Sequence, residues 1–291
     1  MVVHHHTVEV DGHRLFYREA GDPAAPTVVL LHGYPTSSSM YRHLIPILAR
    51  DHHVVAPDML GFGLSDAPPA EEFTYSFEAL AALTAGLLDR LGVRRYAMVV
   101  QDYGAPVGWR LLLDHPGEVT AIVSQNGNAY EAGFVEEFWA PVWAFGRHRD
   151  RMTETALRPA LGLDAIWWQY THGVPDPAVV DPDTWHHDAA LIARPGNDRV
   201  QLDLFADYTT NRALYPRLHQ HLREHPVPVL AVWGRNDEIF GPDGARAFPD
   251  DVPDAEVHLL DGGHFLLESA LDEVAPLIVD FLARRVPAAN V

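Results

Sequence analysis

The sequence predicts an α/β architecture: a mostly parallel sheet with helices on both faces, interrupted once by an inserted helical cap. Three observations lead there. Short apolar β-like runs alternate with segments of helical period, the pattern of strands joined by crossover helices. Several of these runs are continuously apolar rather than alternating, as expected of strands buried on both faces. The alternation then stops between about Tyr130 and Arg223, a stretch rich in Trp, His and Pro with helical runs and no evident core strand.

Taken in order, residues 7–10 and 15–18 alternate around Asp11-Gly12 and read as a hairpin. Residues 27–31 form a buried strand, and residues 53–56 another, followed by Pro57-Asp58. Residues 77–91 carry apolar side chains at helical spacing and stop at Gly92, a suitable helix C-cap. Residues 96–100 are a buried strand, and a helical pattern starts near Ala105. Residues 120–124 are the next strand. Within the inserted stretch, residues 174–184 and 194–198 are connectors rich in Pro, Gly and Asp. Residues 227–232 and 255–259 are two further strands, and residues 273–285 a final helix. The expected division is core at 1–129, cap at 130–223, and core again at 224–291.

At 291 residues, 47% hydrophobic and 21% charged, the chain can bury a proper core. A formal charge of −19 argues against nucleic acid and anionic membrane surfaces as partners. The absence of cysteine excludes disulfides, thiol catalysis and thiolate metal sites. No apolar run approaches the length of a membrane span, and the N-terminus lacks the basic and apolar regions of a signal peptide. A cytoplasmic protein is the expectation. His4, His5 and His6 are set aside from site reasoning. The other histidines, including His52, His53, His186, His187, His219, His221 and His225, show no metal-ligand spacing, so no metal is expected.

The chemistry concentrates at Asp102. The apolar run Ala97-Met98-Val99-Val100 stops at Gln101-Asp102-Tyr103, and a helix follows: a strand–turn–helix elbow with an acid at its tip. An Asp before a helix also serves as a simple cap. A carboxylate is a poor nucleophile toward esters and amides, because attack gives an easily reversed anhydride. Toward an sp³ carbon bearing a leaving group it gives an ordinary ester. The elbow therefore points to carbon–halogen or epoxide C–O cleavage.

Three further segments sit at strand ends. His32-Gly33-Tyr34-Pro35 follows residues 27–31, where a turn can aim the Tyr34 backbone N–H at a developing oxyanion; the N–H of Tyr103 is the second donor. Trp233-Gly234-Arg235-Asn236-Asp237 follows residues 227–232, and its acid can orient a histidine. Asp261-Gly262-Gly263-His264 follows the last strand and lifts a histidine suited to act as general base. Each is modest alone. Together, Asp102, Asp237 and His264 form a nucleophile–acid–base set in one chain order.

These residues resemble the α/β-hydrolase superfamily along nearly the whole chain, and Asp58-Met59-Leu60-Gly61-Phe62-Gly63-Leu64-Ser65-Asp66 looks like that superfamily's loop after an early strand. With Asp at the elbow, the resemblance narrows to the epoxide hydrolase and haloalkane dehalogenase branch. It implies the α/β-hydrolase fold, no cofactor, an alkyl-enzyme ester on Asp102, and water activated by His264 under the hold of Asp237. Haloalkane dehalogenases usually grip the halide with Trp directly after the nucleophile and Asn in the oxyanion turn, or with a cap Trp. Tyr103 and Tyr34 stand in the first two places here. Fluoroacetate dehalogenases carry an Arg beside the nucleophile, and this chain does not. Asp207-Tyr208 resembles the late-cap tyrosine motif of the branch, whose phenol can donate to an epoxide oxygen or a halide. Trp167, Trp168, Tyr170 and Tyr215 are candidates for the rest of the pocket, though large aromatics mostly pack. The expectation is epoxide opening to a vicinal diol on a small apolar substrate. The alternatives are a haloalkane dehalogenase with an unusual halide site and a non-catalytic small-molecule receptor of the same fold.

Overall fold

The computed structural model describes residues 2–286. The chain opens with a hairpin, β1 (His4–Val10) and β2 (His13–Ala20). The histidines at 4–6 pair with Tyr17, Arg18 and Glu19 as part of its ladder. Strand β3 (Thr27–Leu31) leads to the short helix α1 (Ile45–Leu48) and to β4 (His53–Pro57). Helix α2 (Phe77–Arg90), β5 (Tyr96–Val100), α3 (Gly104–Asp114) and β6 (Val119–Gln125) complete the first half. Six helices follow: α4 (Glu136–Arg147), α5 (Arg151–Leu157), α6 (Leu163–Thr171), α7 (Pro182–Ile192), α8 (Asn197–Asp207) and α9 (Thr209–Glu224). The chain closes with β7 (Val229–Gly234), α10 (Asp243–Arg246), α11 (Phe248–Asp251), β8 (Glu256–Leu260), α12 (Leu266–Ser269) and α13 (Leu271–Arg285).

All eight strands form one sheet in the order β1-β2-β4-β3-β5-β6-β7-β8. The β1–β2 and β2–β4 pairs are antiparallel and the rest are parallel. Every residue of β5 is buried, as a strand covered by helices on both faces requires. Strand boundaries lie within a few residues of those the sequence suggests. The ladder of β7 begins at Val229 rather than at 227 because Pro228, which lacks an N–H, intervenes.

The order places β4 and β5 on opposite sides of β3. The chain leaves β3 toward one side and returns on the other, so the loops after β3 and β5 diverge and leave a crevice at their carboxyl ends. The loops carrying Tyr34 and Asp102 meet there.

Between β6 and β7 the described chain adds no strand to the sheet. Its last helix, α9, lies against α3. The buried Arg110 guanidinium donates to Asn211 Oδ1 at 2.7 Å and Thr210 Oγ1 at 3.1 Å. Arg217 reaches the Leu113 carbonyl at 3.4 Å. A boundary at 223 thus falls in the last turn of a helix already packed on the helical layer of the sheet. A second tie sits at the start of α2, where Ser76 caps Ala79 N–H and Asp207 Oδ2 accepts the Phe77 N–H at 2.7 Å. That bond fixes the residue before Tyr208 to the core.

Candidate active site

Asp102 has φ +46°, left-handed backbone that few residues other than glycine adopt, so the chain turns sharply from β5 into α3. The turn is tight enough that a Cβ on Gly104 would lie 2.0 Å from the Leu31 carbonyl oxygen, which explains the small residue two places after the acid. The Asp102 carboxylate stands at the N-terminus of α3, where the helix dipole favours an anion. The Tyr34 N–H donates to Asp102 Oδ1 at 2.6 Å, and the Tyr103 N–H also donates to this carboxylate. Those are the two backbone donors the sequence nominates for the oxyanion.

The turn carrying Tyr34 is held from below. His32 bonds the Gly33 carbonyl through Nδ1 at 3.0 Å and accepts the Met59 N–H on Nε2 at 3.0 Å. Asp58 accepts the Ser38 and Leu64 N–H groups at 2.7 and 2.8 Å. The segment 58–66 is therefore the brace that locks the loop after β3. Gly33 must be glycine, because a Cβ there would sit 2.4 Å from Asp102 Oδ1.

His264, on the loop after β8, contacts Asp237 Oδ2 through Nδ1 at 2.8 Å. A carboxylate accepts, so Nδ1 carries the proton and Nε2 is left as the basic nitrogen. Nε2 lies 3.8 Å from Asp102 Oδ2. Asp237 Oδ1 accepts the Ile239 N–H at 2.7 Å, and Oδ2 also accepts Asn126 Nδ2 at 2.6 Å. All three side chains of the set are buried.

Burial pushes the Asp102 carboxyl up to about 6, while His264 and the two N–H donors pull it down. Burial disfavours charge on His264 as well, but the adjoining Asp237 carboxylate, with Asp102 behind it, outweighs burial and holds the imidazole above its ordinary value.

The other nominated residues separate into two groups. Tyr208 is fully buried at the junction of α8 and α9, its ring 4.4 Å from Trp139 and 5.7 Å from Tyr103, measured between centroids. Among the described residues neither the Tyr208 nor the Tyr103 hydroxyl has a hydrogen-bond partner. Burial raises both phenols well above their ordinary range, and the Asp102 charge adds to both shifts. Tyr215 packs behind this cluster, stacked on Phe134 at 6.2 Å, with its hydroxyl 3.5 Å from Asn128 Nδ2.

Trp167, Trp168 and Tyr170 are placed differently. Helix α6 buries Ile166, Gln169 and Tyr170, and Trp167 falls off that stripe, 48% exposed. Trp168 stacks between Phe138 and His172 and lines an outer cavity of about 410 Å³ with Val135 and Glu238. The Tyr170 hydroxyl donates to Asp188 Oδ2 at 2.5 Å, and its ring stacks on Phe265. Of these three, Trp167 faces solvent, Trp168 lines the outer cavity, and Tyr170 has its hydroxyl engaged by Asp188.

Sequence reasoning missed Asn126 and Gln101. Asn126 has φ +47° at the end of β6, and the polar run Gln125-Asn126-Gly127-Asn128 closing an apolar strand was the available signal. Gln101, directly before the nucleophile, carries no comparable signal. Trp139 was also missed; its Nε1–H is spent on the Ile239 carbonyl at 2.8 Å. Among the described residues no group of three or more His, Asp or Glu is arranged to hold a metal, and no helix is long and apolar enough to cross a membrane.

A crevice at a topological switch point, an acid on a strained elbow and a buried acid–histidine pair define the class: an α/β-hydrolase. The chain belongs to the alpha/beta hydrolase fold family, whose model matches residues 26–271. It is 43% identical over 287 residues to an uncharacterized hydrolase of Saccharomyces cerevisiae, covering 97% of this chain and 98% of that protein. A stretch of 118 residues is 43% identical to epoxide hydrolase A of Mycobacterium tuberculosis, covering 40% of this chain and 36% of that protein. Haloalkane dehalogenase 2 of the same organism is 29% identical over 279 residues, covering 92% and 91% of the two chains.

Proposed function

We propose that this hydrolase opens epoxides to vicinal diols through an ester on Asp102. The observation that carries the reading is the Tyr208 hydroxyl: fully buried, without a partner among the described residues, and close enough to Asp102 to feel its charge. A ring-opening oxygen needs a proton donor, and a phenol is neutral and able to supply one. Asp102 attacks a ring carbon, the C–O bond breaks, and the oxygen takes the Tyr208 proton. Water, losing a proton to His264 Nε2, then attacks the ester carbonyl, whose oxyanion the Tyr34 and Tyr103 N–H groups hold. A halide would want N–H donors instead. The residue after the nucleophile is a tyrosine, and the N–H of the nearby Trp139 is already committed. The rings of Phe77, Trp139 and Phe240 around Tyr208 suit a small apolar substrate. In this reading the helices between β6 and α9 are the cap.

The test is the intact mass of His264→Phe after exposure to panels of epoxides and haloalkanes. Without its base the enzyme is expected to stall as the ester, gaining the whole mass of an epoxide. A gain equal to a haloalkane less HX, with none from epoxides, would replace this reading with dehalogenation. No adduct from either panel would refute the covalent mechanism and favour a receptor. Tyr208→Phe separates the two steps: ester formation is expected to slow by roughly a hundredfold while ester hydrolysis changes little. An unchanged pre-steady-state burst removes Tyr208 from the mechanism.

A further inference from the structure

The base of this site is occupied. Gln101, the residue before the nucleophile, is fully buried, and its Nε2 lies 2.8 Å from His264 Nε2. The nearer Asp102 oxygen is farther from that nitrogen, at 3.8 Å. In the neutral ring, with Asp237 fixing the proton on Nδ1, the lone pair of Nε2 accepts. The Gln101 carboxamide must therefore point its N–H₂ at the ring. Its Oε1 is left with no partner among the described residues, inside the wall formed by Gly33. A buried carbonyl oxygen without a donor is an unusual state, and here it stands beside the two reacting groups.

We propose that Gln101 is a positioning residue with two settings. In the resting enzyme its N–H caps the basic nitrogen of His264, keeping the imidazole unprotonated and apart from Asp102, so that the carboxylate stays free to attack carbon. In the ester it turns its carboxamide over and offers Oε1 to the hydrolytic water. The water then gives one proton to His264 Nε2 and hydrogen-bonds Oε1 with its other hydrogen, and its oxygen bonds to Asp102 Cγ. Collapse breaks the bond between Cγ and the ester oxygen that Asp102 contributed, which takes the proton back from His264 and leaves on the substrate carbon as the alcohol. The unpaired oxygen of the resting state is the acceptor the second step needs. This second setting rests on the ester mechanism proposed above, whereas the pairing with His264 does not.

The charged groups facing the His264 ring are Asp237, on the loop after β7, and Asp102, at the elbow; Phe240 and Phe265 cover it with uncharged rings. A donor on Nε2 opposes protonation. Gln101→Met keeps the length and removes the donor, so His264 is expected to bind a proton about tenfold more tightly. Gln101→Glu puts a carboxylate in the same place and is expected to raise that affinity further. Both are read by imidazole nitrogen NMR against pH, with the His264 signal assigned by its loss in His264→Phe. In single turnovers Gln101→Met is expected to hydrolyse its ester at least about tenfold more slowly than the parent, with the acid limb of hydrolysis moved to higher pH. A role in packing alone would leave the titration and that limb where they are. An unmoved His264 titration in both folded variants overturns the proposal whether or not ester forms. A moved titration with no ester in His264→Phe overturns the epoxide mechanism and the second setting with it, and upholds the pairing. A moved titration with unslowed hydrolysis overturns the second setting alone.

Discussion

Asp102→Asn is expected to abolish turnover, by roughly ten-thousand-fold or more, while leaving the fold intact and more stable than the parent near neutral pH. The amide is isosteric, and its oxygen can still accept the Tyr34 N–H, but it has no charge with which to form the ester. The stability gain follows from burial. Raising the carboxyl from 3.8 to about 6 makes its ionised form in the fold cost on the order of 3 kcal/mol at pH 7 and above. The sign is that of an acid raised by folding: its contribution is full below pH 3.8 and lost as pH rises through about 6. The advantage of the Asp102→Asn variant in thermal melts should therefore be largest at about pH 7–8 and shrink toward about pH 4. Wild-type turnover in this variant would remove Asp102 as nucleophile. Equal melting temperatures across that range would refute the electrostatic argument while sparing the chemical one. On the proposed mechanism, the site keeps a destabilising buried charge because ester formation requires it.

Asp237→Asn is expected to lose about a thousandfold to ten-thousandfold in turnover, almost all of it in ester hydrolysis. The reason is an inventory of donors. Asp237 Oδ1 accepts Ile239 N–H, and Oδ2 accepts both His264 Nδ1–H and Asn126 Nδ2. An asparagine has one acceptor oxygen, so its N–H₂ must confront at least one of these donors. If it faces His264, the ring is driven to carry its proton on Nε2 and can no longer take one from water. If it faces Ile239, a buried backbone N–H loses its acceptor and the fold weakens by about 1–3 kcal/mol. Rapid quench with an epoxide should show ester formed at nearly the parent rate and then persisting. Ester hydrolysis at the parent rate would mean that Asp237 is not the residue orienting His264.

These two variants touch residues that were legible in the sequence for a simple reason. Each lies just past a short apolar run, and in a parallel sheet the carboxyl ends of such runs converge on one edge of the fold. Local pattern therefore located Asp102, Asp237 and His264 together with their strands. Tyr208 was singled out only through resemblance, since nothing in helical period distinguishes a tyrosine that packs from one that donates. The aromatic residues of α6 show the consequence. Trp167, Trp168 and Tyr170 are close in sequence and nearly alike in character. A helix turns about 100° per residue, so they point in different directions, and which direction faces the substrate is set by how α6 lies on its neighbours. The placement of α9 is hidden from the sequence for a related reason: it is amphipathic whichever layer it covers, and only the tertiary structure shows that it lies against α3.

The residues that no pattern marked are those whose partners are far along the chain. Gln101 meets His264 across 163 positions, and Asn126 meets Asp237 across 111. A glutamine or an asparagine at a strand end carries no signal until the group opposite is known. By itself, the sequence determined the strand–helix alternation, the elbow and the residue types set at the strand ends, because those depend on local periodicity and residue type. Tertiary structure alone decided which hydroxyls are left without partners, which indole N–H is already spent and what holds the basic nitrogen, because hydrogen-bond satisfaction is a property of groups brought together from distant parts of the chain.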